Sequence, residues 1–210
     1  MRQVFKCIKL SVVLSVVLLL GCKADSLVIK ITAADIEEAV DGEEVTIDFV
    51  AEFIVHGELD EEQRAKLDMV SGIAEKYLDL DDIDLSKDGS SSTLTFEGSV
   101  PVSTEQNGSS PWYIRISDWD DEYHRVELVV GSDYAKMATE IKAISYMWEP
   151  NPYHEAKFKL KAKNKKIIAP VVQVDGDTHL FYEGTVGKSI TLNFVGDPFT
   201  EAGAGFLLGK

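Results

Sequence analysis

The stretch Val45-Thr46-Ile47-Asp48-Phe49-Val50-Ala51-Glu52-Phe53-Ile54-Val55 decides the fold. Val45, Ile47, Phe49, Ala51, Phe53 and Val55 alternate with Thr46, Asp48 and Glu52. A period of two over this length is a strand with one face buried and one face wet. Strands of that kind belong to antiparallel sheets, whereas strands of parallel sheets are apolar on both faces. Working outward, Ser26–Ile31 reads as a strand before it, and Thr32 with Asp35 reads as a capping box opening a short helix through Val40. Gly57 ends the central stretch. Asp60 with Gln63 opens a helix over about 60–78, with Leu67, Val70, Ile73, Ala74, Tyr77 and Leu78 on one stripe. Leu80–Leu85 and Leu94–Val102 are strands around the turn Lys87-Asp88-Gly89-Ser90.

Trp112–Ile116 and Val126–Val130 alternate and pair across Asp118–Tyr123. Ser132 is the expected cap of a second helix over about 133–148, with Trp148 on its apolar stripe and Pro150 and Pro152 beyond its end. Four further strands are expected at Ala156–Lys163, Ile167–Val174, Thr178–Glu183 and Ser189–Val195, with hairpin chemistry at Lys163–Lys166 and Asp175-Gly176. Glu201–Lys210 is Gly-rich and expected to be loosely held. The sum is an α+β fold: about ten short strands, mostly antiparallel, with two main helices. Residues 26–210 form one domain, with a candidate sub-boundary in the polar loop near 103–111.

The 210 residues carry 21 Lys+Arg against 36 Asp+Glu, a formal net charge of −15. Charged residues are 27% and hydrophobic residues 45%, the balance of a folded globular chain. Such acidity excludes nucleic acid as a main partner, because phosphate backbones need a basic surface.

Met1–Lys9 holds Arg2, Lys6 and Lys9 and no acid, and Leu10–Leu20 is an apolar run of 11 residues. A membrane span needs roughly 20; this run has the length of a signal-peptide core. Leu19-Leu20-Gly21-Cys22 follows. This resembles the lipobox of bacterial lipoproteins, with a small residue at the cleavage point and then the cysteine that takes the lipid. The resemblance covers the first 22 residues. It implies a signal peptide over 1–21, a diacylglyceryl group and an N-acyl chain on Cys22, and a location on the cell envelope. It also implies the outer membrane if the host is Gram-negative, since Lys23 stands where aspartate usually signals inner-membrane retention. Residues 22–25 then form a short tether, Lys23-Ala24-Asp25, which reaches about 10 Å when extended.

Chemical motifs are sparse. Asp84, Ser86, Asp88 and Gly89 match the start of a calcium loop, but its twelfth position is Thr95 where a bidentate carboxylate is needed. Asp118, Asp120, Asp121 and Glu122 form a second acidic cluster, where mutual repulsion invites a cation or a basic partner. Gly187-Lys188-Ser189 shares its last residues with a phosphate-binding P-loop, but Tyr182 replaces the first glycine and a strand follows where a helix is required; no nucleotide is expected. The four histidines show no zinc spacing. No GxSxG elbow is present. No catalytic residue is assigned and no resident cofactor is expected.

Charge is segregated. Residues 23–152 hold 30 acids and 10 bases, whereas residues 153–210 hold 6 acids and 8 bases. Lys157, Lys159, Lys161 and Lys163 alternate with Ala156, Phe158, Leu160 and Ala162, which places all four lysines on one face of one strand. Two readings follow: protection of an exposed sheet edge, or a docking stripe for anionic lipid headgroups or an acidic envelope protein. The functional expectation is a non-enzymatic, membrane-anchored binding or accessory module. A carrier of a lipophilic ligand in a curved-sheet cavity is the alternative, and an envelope hydrolase has no motif behind it.

Overall fold

The computed structural model describes residues 24–56, 59–88, 91–106, 108–145, 155–194 and 204–210. Its strands are β1 (Ser26–Thr32), β2 (Val45–His56), β3 (Asp79–Asp88), β4 (Ser91–Ser103), β5 (Trp112–Asp118), β6 (Tyr123–Val130), β7 (Lys157–Lys161), β8 (Lys166–Val174), β9 (Asp177–Thr185), β10 (Ser189–Asn193) and β11 (Gly205–Gly209). Its helices are α1 (Ala33–Val40), α2 (Glu61–Tyr77) and α3 (Tyr134–Ile144).

All eleven strands belong to one sheet that closes on itself. The ring runs β10-β7-β1-β2-β4-β5-β6-β11-β8, and the pairing of Asn193 with Gln173 joins β8 back to β10. β3 flanks β4 and β9 flanks β8 outside this ring. Pairing is antiparallel except between β1 and β7 and between β4 and β5. Closure explains the long alternation of β2: odd residues from Val45 to Ala51 face the lumen, and their neighbours face out. The lumen is packed. Phe158 on β7 meets Phe194 at 5.8 Å and Phe206 on β11 at 5.4 Å, both edge to face. Since β7 and β11 lie three steps apart on the ring, these rings meet across its middle.

Local chemistry makes the helices. Thr32 and Asp35 form the expected capping box of α1, which lies across β1, β2, β4 and β5 and buries Ile36 and Ala39. Asp60 and Gln63 do the same for α2. Helix α2 packs on α3, where the Glu140 carboxylate accepts from both Lys76 and Tyr77, each at 2.6 Å.

Several expectations need correcting. The described part of the Gly-rich tail is not loose: residues 205–209 form β11, an eleventh strand inserted between β6 and β8, with Phe206 and Leu208 buried. Glycine there has a use, since a Cβ on Gly205 would stand 2.9 Å from the Val126 carbonyl oxygen. Helix α3 starts after Asp133 rather than Ser132, without a side-chain cap, and ends at Ile144 with Ser145 as its C-cap. Trp148, Pro150 and Pro152 lie outside the described residues, as do residues 195–203. The segment Lys163–Lys166 does not turn a hairpin, because β7 pairs with β1 and β10 and not with β8. Asp175-Gly176 does turn one, with φ of 52° and 91°, the left-handed pair that a tight two-residue hairpin requires. The fold also reaches back before Ser26: Ala24 is buried and the Asp25 carboxylate accepts from Ile54 N at 2.6 Å.

Candidate functional site

Strand β7 is short, but its position gives its alternation force. Phe158 and Leu160 are fully buried, and Lys159 and Lys161 are exposed. Lys157 is half-buried and Lys163, just past the strand, is exposed. β7 has neighbours on both sides, so edge protection does not account for its lysines.

The pairing registers set out the outer face in rows. Lys30 of β1 stands beside Lys159, which stands beside Thr191 of β10. Thr32 stands beside Lys161, which stands beside Ser189. Val28 stands beside Lys157, and Lys157 beside Asn193. On the far side of β1, Asp48 of β2 reaches Lys30 at 3.5 Å. Lys30, Lys159 and Lys161 thus gather on one open groove of about 440 Å³, edged by the hydroxyls of Thr46, Ser189 and Thr191. Two carboxylates border it: Asp48, and Asp35, whose Oδ2 accepts from the Thr32 backbone N at 2.7 Å.

Lys30 and Lys159 are register neighbours on the parallel strands β1 and β7, so two like charges stand side by side and repel, with Asp48 beside Lys30 alone. Among the described residues, Lys157, Lys159, Lys161 and Lys163 form no ion pair with a carboxylate, although the chain has acids to spare. Lys165 does, with Glu37 at 2.9 Å.

The acidic hairpin behaves differently. Asp118 Oδ1 holds the ammonium of Lys210 at 2.8 Å, and Lys210 also donates to the Asp120 carbonyl at 2.8 Å. The Asp120 carboxylate accepts from the backbone of Glu122 and Tyr123, both at 2.8 Å. His124 Nδ1 lies 3.2 Å from Asp118, off the line that a hydrogen bond needs. The Lys210 hydrogen bond and charge, with a smaller part from His124, hold the Asp118 carboxyl below its ordinary value. The cation met by this cluster is therefore the chain's own, brought there by β11. Close by, Glu127 binds Arg115 at 2.9 Å and also contacts Arg125.

The other expected residues fall elsewhere. Asp84 is exposed on β3, paired with Thr95, and Asp88 ends that strand opposite Ser91. Among the described residues, no three histidine, cysteine, aspartate or glutamate side chains converge as a metal ion needs. Gly187-Lys188 is a turn into β10, and Ser189 opens that strand. Cys22 lies outside the described residues. Sequence reasoning missed Lys30, Ser189 and Thr191 as partners of the lysine row. Each alternates correctly within its own strand, but nothing local says which strands flank β7. No protein-family model, curated protein or solved structure matches the chain, so the reading of this face rests on its own residues.

Proposed function

We propose that the chain is a non-enzymatic lipoprotein of the bacterial cell envelope, anchored through lipid on Cys22, whose barrel serves as a membrane-anchored binding or accessory module. Its working face is the outer surface of β1, β7 and β10, docking on anionic headgroups. The observation that carries this reading is the row Lys157, Lys159, Lys161 and Lys163, without carboxylate partners among the described residues, on and just past a strand that is not an edge. The short tether supports it. Ala24, two residues past Cys22, is already buried and Asp25 is hydrogen-bonded to β2, so a lipid on that cysteine would hold the barrel against the bilayer. β7 runs parallel to β1, with Lys157 level with Val28, so the lysine row starts near the anchored end and runs away from it. All four lysines meet the surface only if the barrel lies on its side. Anionic membranes attract lysine by about 1 kcal/mol each within a Debye length of ~8 Å. Two or more acyl chains supply the anchoring itself.

The test has two parts. Cys22→Ser should take up no labelled fatty acid; normal labelling ends the anchoring claim. In reconstituted vesicles, a fluorophore on residue 159 should be quenched by headgroup-attached spin labels, and one on residue 121 should not. Equal quenching at both positions ends the claim of a lysine-down orientation.

A further inference from the structure

We infer that the groove over Lys30, Lys159 and Lys161 binds the phosphorylated sugar headgroup of a glycolipid, one molecule per barrel. This rests on the docking reading above and gives it a ligand class. A surface that attracts anions by charge alone needs only exposed lysines. This groove has three further properties.

The first is the paired cations. Lys30 and Lys159 are direct neighbours on adjacent strands, which lie about 4.8 Å apart. A phosphate seated over this row can draw both side chains, with Lys30 turning from Asp48, which it meets at 3.5 Å, and it offers three strong acceptors and about −1.5 to −2 charge at neutral pH. The second is the hydroxyl border. Thr46, Ser189 and Thr191 both donate and accept, which suits a polyol rather than a bare anion. The third is the presence of Asp48 and Asp35, which works against a site for simple anions. Carboxylates accept hydroxyl protons, so beside a phosphate site they fit the hydroxyls of a sugar ring. With three lysines and two carboxylates the groove is net positive by one charge before the N-terminal dipole of α1 is counted. About 440 Å³ falls within the roughly 300–1,000 Å³ of small-molecule sites.

The test uses the full lipidated chain. In neutral detergent micelles it is titrated calorimetrically with glucose 1-phosphate, inorganic phosphate and glucose. Glucose 1-phosphate should bind at one site, about tenfold tighter than phosphate, and glucose should not bind measurably. Lys30→Gln with Lys159→Gln should weaken glucose 1-phosphate at least about tenfold. Thr191→Val should narrow the preference over phosphate, and Lys163→Gln, outside the groove, should change neither. All variants are first shown to melt as the parent does, which these exposed positions permit. Equal binding of phosphate and glucose 1-phosphate overturns the inference, as does a loss from Lys163→Gln as large as that from Lys159→Gln. The second arm compares vesicles carrying phosphatidylinositol 4-phosphate, a phosphorylated cyclitol headgroup, with phosphatidylglycerol vesicles of the same surface charge, using the chain delivered from micelles. Preference for the former, with displacement by glucose 1-phosphate, supports the headgroup assignment. Docking on both alike, untouched by glucose 1-phosphate, overturns the ligand class and leaves the docking reading standing. Binding of glucose 1-phosphate without docking on any vesicle overturns the docking reading and the headgroup assignment together.

Discussion

Two charged regions of this barrel solve the same problem in opposite ways. At the β5–β6 hairpin, four acids fall within five positions, and the chain brings its own cation to them. Lys210 sits on Asp118, and Glu127 next to it holds two arginines. On β7 and just past it, four lysines alternate, and among the described residues no acid pairs with them; Asp48 pairs instead with the neighbouring Lys30. A protein with 36 acids and 21 bases has every means of neutralising four lysines. Charge that is cancelled internally belongs to the fold, whereas charge left open at a cost to the sheet is available to something outside it.

The largest expected effect cuts through both regions. Phe206→Ala removes the ring that ties β11 to Phe158, and truncation of a buried phenylalanine costs about 3–5 kcal/mol. Chemical denaturation should show that loss, and a change under 1 kcal/mol would mean that β11 is not part of the packed core. Next, changing Lys157, Lys159, Lys161 and Lys163 together to Gln should lower affinity for anionic vesicles by up to about 4 kcal/mol. Stability should barely move, since exposed charges contribute ~1 kcal/mol or less each. If the quadruple variant docks as the parent does, the contrast between the two regions has no functional meaning.

A smaller change sharpens the same contrast from the other side. Asp48→Asn removes the carboxylate that reaches Lys30, and on vesicles whose anionic headgroups carry no sugar it should tighten docking by about 1 kcal/mol, roughly fivefold. Weaker docking on those vesicles would show that Asp48 supports the docking surface itself and does not only serve a sugar's hydroxyls.

The smallest effect is at the hairpin. Because Lys210 holds the Asp118 carboxyl below its ordinary value of 3.8, the pair contributes stability in full above that value. The contribution is lost as pH falls through the lower, folded value. The stability difference between the parent and Lys210→Met should therefore be constant from neutral pH down to about pH 5, close in stronger acid, and shrink in high salt. A difference that grows on acidification would contradict the assignment.

Much of this fold could be read from residue order. The alternation of β2, the capping boxes at Thr32 and Asp60, and the Asp175-Gly176 turn are local signals, and each produced the element expected of it. β11 escaped because its sequence, Gly-Phe-Leu-Leu-Gly, is short and bounded by residues of low strand propensity. Its partners on β6 and β8 supply what its own sequence lacks. The lysine face was half legible: period two placed its residues on one side of β7. That β7 lies inside the ring, and that Lys30 and Thr191 complete the groove, depends on pairings between distant segments. Val28 pairs with Lys157, and no local pattern encodes that. The acidic hairpin was legible as a cluster in want of a cation, but not its occupant, because Lys210 lies far along the chain.

The position of β11 also governs when the barrel can exist. It follows every other strand in chain order, yet it lies between β6 and β8. Until residues 205–209 have been made, both of those strands lack their shared neighbour, and their unpaired backbone is open to any other strand nearby. The parallel union of β1 with β7 likewise joins segments far apart in the chain. Pairings of such long range are slow to form, because loop closure must precede any gain from contact. The ring therefore cannot close until residues 205–209 are available to pair with both β6 and β8. Without β11, β6 and β8 would each present an unpaired row of backbone donors and acceptors, and the closed barrel would become a sheet with two adhesive edges.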